Sequence, residues 1–282
     1  MSRKRRLVHP GGILHIVNRG NDKRVMTLAI VQRYVSNQGD GWAYTLGYLE
    51  RFMEELRIAG GDEPAAAAAE VHGGFLSLAA TLGTRTAELH RALATPTGDA
   101  AFEPEPLAHE DGTAFARRAG EEADAMLALL RGRLAQLPAA AQADARSVLA
   151  MEDALKVRIA TAGAVIRTGL KTRYHGDFHL GQVLVTGNDF IIIDFEGEPA
   201  RNFEERRAKS SPLRDVAGML RSFSYARWSA LRNVMQNADE FNRLEPVARE
   251  WEIATRSAFL LAYASAPGAS GAGQPVDADL LG

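Results

Sequence analysis

A predominantly helical α+β fold is expected from three features of the sequence. Val183-Leu184-Val185 and Ile191-Ile192-Ile193 are β-favouring and flank the turn-rich Thr186-Gly187-Asn188-Asp189, a pattern that predicts a β-hairpin. Between about residues 42 and 167, apolar side chains recur mainly at helical spacing. After the hairpin, Ser211-Pro212 reads as the start of another helix, with serine as N-cap and proline in the first turn, where its missing N–H matters least.

The 282 residues are 46% hydrophobic, enough for a substantial core in one large or two smaller domains. The net charge of −2 gives no global reason to expect a nucleic-acid partner. No apolar run is long enough to cross a bilayer. The basic start Ser2-Arg3-Lys4-Arg5-Arg6 leads into His9-Pro10-Gly11-Gly12 rather than a signal-peptide core, so a cytoplasmic protein without membrane association is expected. Cysteine is absent, which removes disulfides, thiolate nucleophiles and thiolate metal sites together.

Taken in order, residues 1–26 show no convincing periodicity apart from one short candidate strand at Ile13-Leu14-His15-Ile16-Val17. Thr27 to Val35 is β-branched and aromatic, reads as a strand, and ends at Ser36-Asn37-Gln38-Gly39-Asp40-Gly41. Tyr44, Tyr48, Leu49, Phe52, Met53 and Leu56 then mark a helix that stops at Gly60-Gly61-Asp62-Glu63-Pro64. Ala65 to Arg91 predicts one long helix with Phe75, Leu78, Leu82 and Leu89 inward. Thr95 to Pro106 reads as a surface loop, and helices over 114–137 and 139–167 are separated at Pro138. Arg201 to Ser211 is charged and reads as irregular. The next helix buries Leu213, Val216, Ala217, Leu220, Phe223 and Ser224; a last one spans about 244–264, before a Gly/Ala/Pro-rich tail expected to fray.

The chemistry concentrates around the hairpin, in Tyr174-His175-Gly176-Asp177-Phe178-His179-Leu180-Gly181-Gln182 and Asp194-Phe195-Glu196-Gly197-Glu198-Pro199. Asp177 and Gln182 lie on the loop entering the first strand and Asp194 at the end of the second, so three oxygen-bearing side chains can converge on a hard cation such as magnesium. An acid, an amide five residues later and a second acid beyond a hairpin suit phosphoryl transfer. Asp177 would orient a hydroxyl and accept its proton, while Gln182 and Asp194 hold the metal against nucleotide phosphates. His175 and His179 are four apart, a metal-binding spacing on a helix, but Gly176 and Gly181 argue against a continuous helix. His175 is therefore expected to shape the loop and His179 to line an acceptor pocket. A metal-dependent hydrolase using His175, Asp177, His179 and Asp194 stands as an alternative.

His-Gly-Asp-Phe-His-Leu-Gly-Gln, followed by Asp-Phe-Glu-Gly-Glu-Pro, Arg201 and the run from Ser210 to Leu220, resembles the maltokinases, a group of the aminoglycoside-phosphotransferase-like branch of the protein-kinase fold. The resemblance covers roughly residues 27 to 265. It implies the C-terminal lobe of that fold over 42–265 and a hinge-like strand and linker over 27–41. Residues 1–26 would be a remnant or non-family segment, and 266–282 a flexible tail. Asp177 would be the catalytic base and Gln182 and Asp194 the magnesium ligands. The backbone of Gln32, Arg33, Tyr34 and Val35 would receive the adenine of ATP, and Glu196 would reach the sugar. His179 and Arg201 would face the acceptor, and Asp215 would brace the catalytic loop, with His175 supporting it. The implied reaction moves the ATP γ-phosphoryl to maltose, giving maltose 1-phosphate, in a family often fused to or partnered with trehalose synthase.

The family also carries a β-rich lobe before the hinge, whose lysine, paired with a helical acid, holds the phosphates. Only about 26 residues precede the hinge strand here, and Lys4 and Lys23 lie in segments that read as irregular. Weak or absent activity of this chain alone is therefore expected. A non-catalytic sugar- or partner-binding remnant is a further alternative.

Overall fold

A computed structural model describes residues 7–9, 12–16, 29–59, 68–165 and 169–267. Its first elements are strands β1 (Leu7–His9), β2 (Gly12–Ile16) and β3 (Ala29–Arg33), which form an antiparallel sheet with Leu14 opposite Leu7 and Ile13 opposite Gln32. Strand β2 matches the candidate strand at Ile13 to Val17, whereas β1 lies in sequence expected to be irregular and pairs along an edge of β2 that no local periodicity announces. Lys4, Lys23 and the tail from 268 onward lie outside the described residues.

Helix α1 (Gly41–Ala59) starts where Asp40 Oδ1 accepts the Ala43 N–H at 2.8 Å, and it buries Thr45, Leu49 and Met53 at four-residue intervals. Tyr44 of the expected apolar face is exposed. Helix α2 (Ala68–Leu93) buries Phe75, Leu78 and Leu82 as expected, but the stripe continues through Thr86 to His90, leaving Leu89 half-buried. The loop after α2 contains β4 (Glu105–Pro106), which pairs with β5 (Leu170–Lys171).

Between them lie α3 (His109–Arg133), α4 (Ala139–Ala150) and α5 (Glu152–Val165). The single helix expected over 139–167 is broken at Met151, where Glu152 and Asp153 place acids at a new helix N-terminus, the end that favours negative charge.

The predicted hairpin is present as β6 (Val183–Thr186) and β7 (Asp189–Ile192), closed over Gly187-Asn188 with Thr186 opposite Asp189. Its other edge takes the linker after β3: the Gln38 N–H donates to the Val185 carbonyl at 2.8 Å, and the Val185 N–H to that of Gly39 at 3.0 Å. Residues 201–211 are not wholly irregular, since Asn202 caps a short helix, α6 (Phe203–Arg207), by accepting the Glu205 N–H at 2.9 Å.

Helix α7 (Leu213–Val234) follows Ser211-Pro212 and buries Val216, Met219, Leu220 and Phe223; Ala217 of the expected face is exposed and Ser224 half-buried. Helix α8 (Ala238–Ser265) starts six residues before the expected Leu244, because Asn237 caps it through the Glu240 N–H at 2.9 Å and Pro246 is carried inside the helix. Helices α1 and α8 pack on α7, and α2 runs along α8. Their shared core centres on Leu49, Met53, Leu82, Phe223, Trp251 and Phe259, with the hairpin seated on it through Val183 and Val185. No described helix is long and apolar enough to cross a membrane.

Candidate active site

The loop between β5 and β6 is held from behind by one buried carboxylate. Asp215, in the first turn of α7, accepts the His175 N–H at 2.7 Å through Oδ2 and the Gly176 N–H at 2.9 Å through Oδ1. Its Oδ2 also takes a third bond, from His90 Nε2 of α2 at 3.1 Å, and His90 Nδ1 lies 3.0 Å from the Tyr263 hydroxyl of α8. Burial, with the Asp215 charge adding, pushes the Tyr263 phenol up to about 12, so this hydroxyl keeps its proton to donate. Three helices thereby fix the residues that immediately precede Asp177.

His175 bonds in two directions: its Nε2 lies 2.8 Å from the Ile193 carbonyl, and its Nδ1 accepts the Asp177 N–H at 3.3 Å. Its ring packs beside Phe178 and Phe195, with centroids at 5.3 and 4.9 Å. The arrangement suits a neutral ring bonded on both nitrogens, tying the loop to the end of the hairpin. Gly176 adopts φ 86° and Gly197 φ 72°, and a Cβ on Gly176 would stand 3.2 Å from the Gly197 Cα, so side-chain-free residues let the loop and the turn after β7 approach.

At the mouth of the hairpin, Gln182 Nε2 lies 3.4 Å from Asp194 Oδ2. Asp194 has φ 66°, the one positive φ of a non-glycine among the described residues, a conformation that costs energy and is found disproportionately at functional positions. The pair offers an amide and a carboxylate oxygen, a donor set that suits magnesium, which takes one or two protein ligands and fills its shell with phosphate and water. Among the described residues no group of three or more His, Cys, Asp or Glu side chains is arranged to hold a metal ion. Both His175 nitrogens are committed and His179 Nδ1 accepts the Gly181 N–H at 3.0 Å, so of the two histidines only His179 Nε2 is left to the hydrolase alternative as a metal ligand.

Asp177 and His179 open into a cleft of about 430 Å³ that is also lined by Trp42, Glu198, Arg201 and Arg221. His179 Nε2 stands 3.9 Å from Asp177 Oδ1, and Arg201 Nε donates to Glu198 Oε2 at 2.6 Å. Glu196 is half-buried in the turn after β7 and is not among the cleft-lining residues; Glu198, two positions on, is. Gln32 and Arg33 end β3, and Tyr34 and Val35 follow it. The Val35 carbonyl accepts from Asn37 Nδ2 at 2.9 Å, and Tyr34 is exposed.

The model of the phosphotransferase enzyme family (APH) matches residues 65–251 of this sequence, from the α2 region through the hairpin and into α8. The chain belongs to this family. A glucosamine kinase from Streptacidiphilus jiangxiensis is 30% identical over 237 residues, covering 84% of the chain and 46% of that protein. A glucosamine kinase from Mycolicibacterium smegmatis is 34% identical over 90 residues, covering 32% of the chain and 21% of that protein. Among solved structures, a glucosamine kinase in complex with glucosamine, ADP and inorganic phosphate superimposes with a TM-score of 0.66 at 26% identity, over 90% of the chain and 52% of that structure. The chain therefore spans about half the length, or less, of the curated relatives it matches. The phosphotransferase assignment agrees with the kinase-like helical lobe expected from the motifs, whereas these relatives do not single out the maltokinases.

Several residues that build this cleft and its support escaped sequence reasoning. His90 continues the Leu82 and Thr86 stripe at four-residue steps, so its place in the core was readable, but its partners come from α7 and α8. Trp42, Glu198 and Arg221 face the cleft from three separate segments, and no spacing rule brings them together.

Proposed function

We propose that this chain carries the acceptor and metal side of a magnesium- and ATP-dependent sugar kinase, with Asp177 as general base. The carrying observation is the clamp of Asp215 on the two N–H groups preceding Asp177, a residue that lines the cleft. In this reading Asp177 accepts the proton of a sugar hydroxyl as its oxygen bonds to the γ-phosphorus, the bond to the β–γ bridging oxygen breaks, and ADP leaves. Gln182 and Asp194 would hold magnesium, which would supply charge neutralisation to the phosphates. The backbone of Gln32 to Val35 receives the adenine, and His179, Glu196 and Arg201 serve the sugar, joined by Glu198.

The names of the relatives favour glucosamine as acceptor, and a carboxylate at Glu198 suits an ammonium-bearing sugar. The run Asp194-Phe195-Glu196-Gly197-Glu198-Pro199 favours a second reading, in which maltose is the acceptor, maltose 1-phosphate the product and trehalose synthase a partner. A coupled ADP-release assay with glucosamine or maltose as acceptor decides between them. It should be run on this chain and on a version extended by a family N-terminal lobe. Turnover confined to the extended version supports a dependence on that lobe. No turnover with either sugar in either form, together with sugar binding in the absence of nucleotide binding by calorimetry, would replace the kinase reading with a non-catalytic binding module.

A further inference from the structure

A second concavity, of about 390 Å³, shares no lining residue with the cleft. Four cations, Lys171, Arg173, Arg207 and Lys209, meet a single carboxylate there, that of Glu105. Glu105 is divided between the lysines, with Oε1 2.5 Å from Lys209 Nζ and Oε2 3.5 Å from Lys171 Nζ; Lys171 also reaches Asp111 Oδ1 at 3.1 Å. The lysines are therefore balanced by acids.

The arginines are not. Among the described residues neither Arg173 nor Arg207 forms an ion pair. Arg173 donates to the Arg207 carbonyl and lies over the Phe102 ring at 5.3 Å, and Arg207 lies over the Phe203 ring at 5.2 Å. Burial, and then the like charge of Arg207, holds the Arg173 guanidinium below the usual arginine range. Two like charges brought together beside a concave surface without an acid between them are compensated most simply by an anion from solution. The planar guanidinium fork matches the oxygens of a phosphoryl group.

We propose that this groove binds a phosphoryl dianion, carried by free phosphate or by a phosphorylated small molecule, between the Arg173 and Arg207 guanidinium groups. The position has a consequence for the catalytic loop. Arg173 and the segment 207–209 flank a backbone bridge in which Thr172 and Ser210 exchange N–H and carbonyl bonds, both at 3.0 Å. From that bridge one strand runs into His175 and Gly176, and the other into α7 and Asp215. An anion joining the arginines fastens the two segments whose alignment places Asp177. The site does not depend on which sugar the cleft accepts, or on whether the chain is a kinase.

Calorimetric titration of the chain with inorganic phosphate and with glycerol 3-phosphate, glycerol serving as control, tests the proposal. Both anions should bind, more weakly as salt rises, while glycerol should not. Affinity should fall about tenfold or more in an Arg173→Met and Arg207→Met double variant, as expected for loss of charge-assisted hydrogen bonds. It should fall measurably in Arg207→Met alone, which alters an exposed side chain and spares the fold, and stay unchanged in Arg201→Met of the cleft. Tighter binding of glycerol 3-phosphate marks an esterified ligand, and equal binding marks free phosphate; either supports the site. Absence of phosphate binding at millimolar concentration overturns it, as does binding lost in Arg201→Met but intact in Arg207→Met.

Discussion

His90 Nε2 stands 3.1 Å from Asp215 Oδ2, and through that contact a helix remote in sequence reaches the loop that carries Asp177. Tyr263 donates to His90, His90 to Asp215, and Asp215 accepts the two N–H groups before Asp177, so every member of the chain is bonded. Replacing His90 with alanine leaves a buried carboxylate oxygen and the Tyr263 hydroxyl short of a partner. Stability should fall by about 2–3 kcal/mol in urea unfolding. If phosphoryl transfer is restored by an N-terminal lobe, kcat should fall more than the sugar KM rises, since the loop rather than the cleft is disturbed. An unchanged urea midpoint would refute the role given to this contact.

Asp177→Asn removes the proposed proton acceptor while keeping shape. In the lobe-extended enzyme, turnover should drop by roughly 10²- to 10⁴-fold, with the melting temperature within a degree or two of the parent. Full activity in this variant would move the base elsewhere.

Gly218 of α7 faces the loop that carries Asp177 so closely that a Cβ placed on it would meet the Phe178 carbonyl oxygen at 2.6 Å. Alanine there should force the loop away and destabilise by about 1–3 kcal/mol, the usual cost of overpacking a tight contact. Ordinary melting behaviour with full sugar binding would show that the loop accommodates the methyl group.

Arg85 of α2 clasps the hairpin at Asp189, with Nε to Oδ1 at 2.7 Å and Nη2 to Oδ2 at 2.8 Å. The Arg85 hydrogen bonds hold the Asp189 carboxyl below the usual carboxylate range. Its folded pKa is therefore lower than its unfolded one, and the contribution is complete above about pH 4 and lost as pH falls through the depressed folded value. Because both side chains are well exposed, Arg85→Ala should cost at most about 1 kcal/mol at neutral pH. Unfolding curves of variant and parent should converge as the pH falls below that depressed folded value. A gap that persists in acid would mean that packing, not charge, joins α2 to the hairpin.

The proposed magnesium role of Gln182 and Asp194 is tested at the carboxylate. Asp194→Asn, which removes the charge but tolerates the same φ, should weaken magnesium-stimulated nucleotide binding, read by fluorescent ATP titration in the lobe-extended enzyme, without lowering thermal stability. Alanine at this position should instead cost about 1 kcal/mol of stability, because it tolerates the φ 66° conformation less well than aspartate or asparagine.

By itself the sequence determined the local parts of this protein. The hairpin was readable because Gly187-Asn188 between β-favouring runs has few other conformations, and α1, α2 and α7 because their apolar residues repeat at the helical period. The approach of Gln182 to Asp194 was legible for the same reason, since one hairpin brings them together, whereas Asp177 lines a cleft that neither of them lines. The candidate strand at Ile13 to Val17 is present as β2, but β1 and the early start of α8 were missed, because a pairing edge and a capped helix with proline inside outweigh local pattern. Only the tertiary structure could assemble His90, Asp215 and Tyr263, or set Glu198, Arg201 and Trp42 around one cleft. Those contacts join residues far apart in the chain, and their geometry is decided by how α2, α7 and α8 pack, which no periodicity in a single segment encodes.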